Sequence, residues 1–165
     1  MAWHITNPAL IGWQPITDTS TTQQHPLGMI VQAYDPTYGA GEFIYLLGVA
    51  STAARDWVTY NADDWSTTRL VANAIGPVAI AMSANVASQY GWYQIGGKAL
   101  GKCLTQFADN GRVYITATTA AVDDASVAGD VVWNAKGAST TTVDSGYAEF
   151  EIHRPFAADR VSIIS

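Results

Sequence analysis

The sequence predicts a mainly β protein, a single β-sandwich or β-barrel domain with an extended N-terminal arm and short helical turns. Three observations carry that expectation. Glutamate and lysine, which normally fill exposed helix faces, are scarce: Glu42, Glu149, Glu151, Lys98, Lys102 and Lys136 are all that 165 residues contain. Thr, Val, Ile and Tyr, which suit a pleated surface, are plentiful instead. Short apolar segments recur at close spacing between Gly, Asn and Pro, the pattern of a sandwich or barrel.

Residues 1–26 read as an N-terminal arm and residues 27–165 as the β-rich domain. Thr17-Asp18-Thr19-Ser20-Thr21-Thr22-Gln23-Gln24 is a polar tract without apolar period. Such a tract buries too little surface to offset its own ordering entropy. Trp3, Ile5, Leu10, Ile11, Trp13 and Ile16 precede it. Apolar anchors ahead of a polar spacer suggest an arm ordered against a partner, with these six side chains as the interaction residues. A first strand followed by a long loop accounts for the same residues equally well.

The domain then follows strand by strand. Residues 29–34 form the first candidate. Phe43-Ile44-Tyr45-Leu46-Leu47 is apolar at every position, as expected of a strand covered on both faces. Residues 57–60, 69–73 and 78–82 come next. The apolar run 70–87 is broken by Asn73, Gly76, Pro77, Ser83 and Asn85, so it reads as two strands joined at 75–77 and not as a membrane span. Residues 92–95 and 99–104 follow, with a bend at Gly96-Gly97. Asp109-Asn110-Gly111 is a turn signal before Arg112-Val113-Tyr114-Ile115-Thr116, which places Val113 and Ile115 on one face. Glu149-Phe150-Glu151-Ile152-His153 alternates, with Phe150 and Ile152 inward. Residues 50–56, 83–89 and 120–127 are each able to hold a helical turn.

Charged residues are only 13% of the chain, about half the usual share of ~25%. A surface so poor in charge suits a subunit that lies against neighbours. The net charge of −6 and the lack of any Lys/Arg run argue against nucleic acid as a partner. No basic stretch followed by an apolar run opens the chain, so no signal peptide is expected. Cys103 is the only cysteine, which excludes an intrachain disulfide and favours a small buried hydrophobe.

No catalytic, cofactor or metal site is expected. Gly96-Gly97-Lys98-Ala99-Leu100-Gly101-Lys102-Cys103 has the spacing of a phosphate-binding loop except at its last position. That loop needs a Ser or Thr hydroxyl for magnesium where this chain has a thiol, and a helix where it soon reaches Asp109-Asn110-Gly111. A glycine bend followed by a strand is the simpler account. Asp63-Asp64 and Asp123-Asp124 with Asp130 lack calcium-loop spacing and suit solvated turns. The six tryptophans fit a core or a subunit interface better than a sugar platform.

Several segments, taken in order, resemble phage head decoration proteins. They are Gly41-Glu42-Phe43-Ile44-Tyr45-Leu46, Gly76-Pro77-Val78-Ala79-Ile80-Ala81 and Gln89-Tyr90-Gly91-Trp92-Tyr93-Gln94-Ile95-Gly96-Gly97-Lys98-Ala99. Val113-Tyr114-Ile115-Thr116-Ala117, Val122-Asp123-Asp124 with Ala128-Gly129-Asp130, and the closing Glu151-Ile152-His153-Arg154-Pro155-Phe156 complete the set. The resemblance spans residues 41–156. It implies a structural virion protein and not an enzyme, a homotrimer seated on the outer surface of the capsid, with the major capsid protein as its partner. It implies host cytoplasm during assembly, and neither nucleic acid nor membrane as a ligand. A receptor- or glycan-binding head-fibre or tail module is the alternative.

Overall fold

The computed structural model describes residues 3–6, 12–140 and 146–160. Twelve strands run β1 (His4–Ile5), β2 (Thr19–Ser20), β3 (Ile30–Asp35), β4 (Gly39–Leu47), β5 (Trp57–Tyr60), β6 (Thr67–Arg69), β7 (Gly76–Ala81), β8 (Tyr90–Lys102), β9 (Arg112–Ile115), β10 (Val122–Asp123), β11 (Gly129–Gly137) and β12 (Tyr147–Arg160). There is no helix among the described residues. Residues 50–56 and 83–89, expected to hold helical turns, form turns and bends. Residues 120–127 contain β10.

All strands belong to one sheet in the order β1-β3-β4-β8-β7-β12-β11-β9-β10, with β2 also on β8 and the β5–β6 pair on β7. Every ladder is antiparallel. The β3–β4 hairpin shows how local sequence shapes an element. Asp35 Oδ1 accepts from the amides of Thr37 and Tyr38 at 2.8 and 3.0 Å, and Gly39 takes φ +78 to re-enter the sheet.

The organising strand is β8. Residues 90–97 pair with β4, and residues 96–102 pair with β12. Gly97 has partners on both sides, Gly41 and Ile152. The two strands expected at 92–95 and 99–104 are therefore one strand, and Gly96-Gly97 is a crossover inside it and not a bend. The β4–β8 register slips at this point, between Glu42 and Phe43. The run 70–87 also differs from expectation. Residues 70–75 form loop and turn, and Gly76 and Pro77 open β7 instead of linking two strands.

The sheet buries three apolar clusters. The largest gathers Trp57, Val78, Ile80, Ala99, Val113, Ile115, Val132, Phe150 and Ile152. Around it the sheet curls until Cys103 bridges Val122 at the start of β10. That contact is an isolated bridge and not a ladder, so the sheet is not a closed barrel. Trp57 packs edge-on against Phe150 at 5.1 Å, as does Phe107 at 5.0 Å. The all-apolar β4 is covered on both faces, as expected: Phe43 and Tyr45 enter a second cluster with Trp92, and Ile44 and Leu46 a third with Tyr93 and Ile95. Beside the third cluster Asn85 Nδ2 donates to Tyr93 OH at 2.9 Å, and burial pushes the Tyr93 phenol up to about 12.

The described part of residues 1–26 corrects the expectation of a separate arm. Ile16 is 2% exposed in the second cluster, and Trp3, Ile5 and Trp13 pack against the same cluster. Trp3 meets Phe43 edge-on at 4.9 Å, and Trp13 lies 5.8 Å from Trp92. The polar tract has no apolar period, but its main chain supplies β2, with Thr19 and Ser20 opposite Gly91 and Tyr90. The physical reason is that the aromatic side of β4 and β8 offers these anchors a surface within the same chain. Leu10 and Ile11, expected as anchors with them, lie outside the described residues.

Candidate interaction face

β12 changes partner half-way along, from β8 to β7, and there two aromatic side chains of a cross-strand row, Phe156 and Trp133, turn outward. Phe150 and Ile152 point inward, so strict alternation would send Arg154 and Phe156 inward too. Instead Trp133 pairs with Phe156 and Ala135 with Ile152, so one residue of β11 faces three of β12. Arg154 (φ 49) and Asn134 (φ 59) take left-handed conformations at this bulge. Beyond it the parity is inverted: Ala157 is buried, while Phe156 is 42% and Trp133 51% exposed.

The register carries the row across the sheet. Phe156 is opposite Pro77 on β7. Thr59 is opposite Val78, so Tyr60 comes beside Pro77. Trp133, Phe156, Pro77 and Tyr60 therefore share one face of four adjacent strands. Tyr60 also packs on the third cluster, which ties the row to the core. Ile75, just before β7, is 69% exposed.

Two clefts flank this row. One, of about 540 Å³, is lined by Thr59, Tyr60, Asn61, Ser66, Thr68 and Pro77, all uncharged. The other, of about 470 Å³, lies at the crossover, between Gln32, Glu42, Gly96, Gly97, His153 and Arg154. Arg154 Nε donates to Glu42 Oε2 at 3.3 Å across it. Burial raises the Tyr60 phenol, and the guanidinium of Arg154 partly offsets that.

The other motifs singled out from sequence lie in strands and turns of the sheet. Residues 96–102 lie extended in β8, so Lys102 and Cys103 are not in a loop leading to a helix. Lys102 Nζ is 4.0 Å from Asp56, a carboxylate held chiefly by Arg69 at 3.0 Å and by the amide of Ala53 at 3.0 Å. Asp64 Oδ1 accepts from Ser66 Oγ and N at 2.7 and 3.0 Å, a turn contact that lowers its carboxyl. Asp124 and Asp130 accept from the amides of Ala108 and Asn73 at 3.0 and 2.7 Å. No three His, Cys, Asp or Glu side chains converge among the described residues.

The row escaped sequence reasoning because its members are far apart along the chain and because the bulge reverses the inward and outward positions. Arg154-Pro155 was the only local signal, since Pro lacks the amide that a regular ladder uses. Comparison of the chain with family models, with curated proteins and with solved structures finds no match.

Proposed function

We propose that this protein is a structural subunit that decorates the outer surface of a phage capsid and stabilises it by binding the major capsid protein. The observation that carries the reading is the row Trp133–Phe156–Pro77–Tyr60, in which Trp133 and Phe156 are exposed and Pro77 and Tyr60 half-buried. Large aromatic side chains held by a sheet give contact area at small entropic cost, which is what a binding surface needs. The ordered resemblance across residues 41–156 and the low share of charged residues support the same reading. Weak contacts made by each subunit of a symmetric oligomer add up through effective concentration. The alternative is a glycan-binding module, and the uncharged cleft with Asn61, Ser66 and Tyr60 beside the row is the feature that favours it.

Co-sedimentation tests the proposal. The full chain is mixed with phage heads lacking their own decoration subunit. Saturable binding is expected, and it should weaken about tenfold or more when Trp133 and Phe156 are both changed to Ser. No binding to any such heads, together with selective retention on a glycan array, would favour the alternative.

A further inference from the structure

We propose that His25 is a proton-operated latch whose protonation releases residues 12–26 from the sheet and uncovers the aromatic surface of Tyr45 and Trp92. This inference does not depend on what the protein binds.

The latch is built round Gln14, which is 7% exposed. Its amide N–H donates to His25 Nε2 at 3.1 Å, so that nitrogen must carry a lone pair and no proton. Its carbonyl accepts from Trp92 Nε1 at 2.9 Å. Its side-chain Nε2 donates to the carbonyls of Asp18 and Tyr90 at 2.8 and 3.0 Å, and its Oε1 accepts from Tyr45 OH at 2.7 Å. The His25 ring stacks on Trp13 at 4.7 Å, meets Tyr45 edge-on at 5.1 Å and lies 5.4 Å from Trp92. One imidazole thus closes the segment on itself and presses it onto β4 and β8.

Protonation sets two donors, Nε2–H and the Gln14 amide, against each other. The titratable groups packed round the ring are phenols: Tyr45 on β4 and, stacked on it, Tyr90 on β8. On the segment itself Asp18 enters through its carbonyl. The described contacts of the ring include no carboxylate able to hold an imidazolium.

Burial keeps the ring below its ordinary value of 6.5, so the folded state takes up the proton less readily than the unfolded chain. The contribution of the latch is therefore complete above about pH 6.5 and fades as pH falls through the folded value.

Amide exchange read by NMR, corrected for intrinsic rates, tests the latch in the full chain. Protection of residues 13–20 should fall about tenfold or more from about pH 7.5 to about pH 5, with β11 and β12 unchanged. His25→Gln keeps an acceptor that does not titrate, so its protection should be flat over that range. An equal fall in His25→Gln, no fall in the native chain, or a fall shared by β11 and β12 would each overturn the proposal. Should the variant fold poorly, the native protein still decides. His25 ring shifts must titrate in step with Gln14 protection, and ring titration without loss of protection would overturn it.

Discussion

Gly97 shows how one residue supports a whole crossover. It has φ +93, and a Cβ there would sit 2.4 Å from the carbonyl oxygen of Ala40 and 3.0 Å from Gly41 Cα. Those atoms are main chain of a paired strand and cannot move aside. Gly39 has a similar φ, +78, but a Cβ there meets nothing within 4 Å. Gly97→Ala should therefore destabilise by about 3 kcal/mol or more, and Gly39→Ala by only about 1 kcal/mol, in urea melts of both variants. Equal losses would show that φ alone, and not the close approach, sets the requirement. Asp56 gives a second contrast. It is 1% exposed and pairs with Arg69, so Asp56→Ala leaves a guanidinium unpaired and should cost about 3 kcal/mol. Lys102, a third exposed and 4.0 Å from the same carboxylate, should be replaceable by Ala within about 0.5 kcal/mol. At this scale the sequence was legible as to type and not as to place. Gly97 serves backbone shape, as the sequence led one to expect of the pair Gly96-Gly97, yet a bend and an in-strand crossover have the same local composition.

Among elements, the strands with strong local pattern were legible: β4 from its unbroken apolar run, β9 from its turn signal, and the first half of β12 from its alternation. Residues 57–60 were placed to the residue as β5. What local pattern could not supply was the length of β8 and β12, thirteen and fourteen residues, because each changes partner where its alternation breaks. Nor could it choose between an arm and a first strand for residues 1–26, since the choice depends on aromatic side chains some eighty residues away. The packing of the described anchors leads to a definite expectation. Deleting residues 1–24 removes Ile16 and Trp13 from the second cluster and takes away the Gln14 partners of Tyr45 and Trp92. Burial of one such apolar side chain contributes about 1.5–3 kcal/mol. The truncated protein should melt about 10 °C lower or more, at about 2–4 °C per kcal/mol for a chain of this length. An unchanged melting temperature would restore the arm as an independent appendage.

For the whole molecule, the question is what covers the row Trp133–Phe156–Pro77–Tyr60. Trp133 and Phe156 sit on outward positions at the bulge at Arg154, so removing their rings should not disturb the largest cluster on the opposite face of the same strands. The double change Trp133→Ser and Phe156→Ser should therefore leave urea stability within about 1 kcal/mol, being two exposed substitutions outside the core. Sedimentation velocity then separates two roles for the face. We expect the native chain to be a closed trimer at micromolar concentration, since a surface with so few charges is poorly kept apart by repulsion and cyclic symmetry limits its growth. If the row faces a capsid, the variant stays trimeric and loses only its binding to heads. If the row is the contact between copies, the variant becomes a monomer with an intact fold, and its loss of head binding follows from lost multivalency. A native chain that is monomeric under these conditions would remove the oligomer from the proposal. Binding would then have to come from a single face with full affinity, and head binding by the native monomer would no longer depend on its self-association.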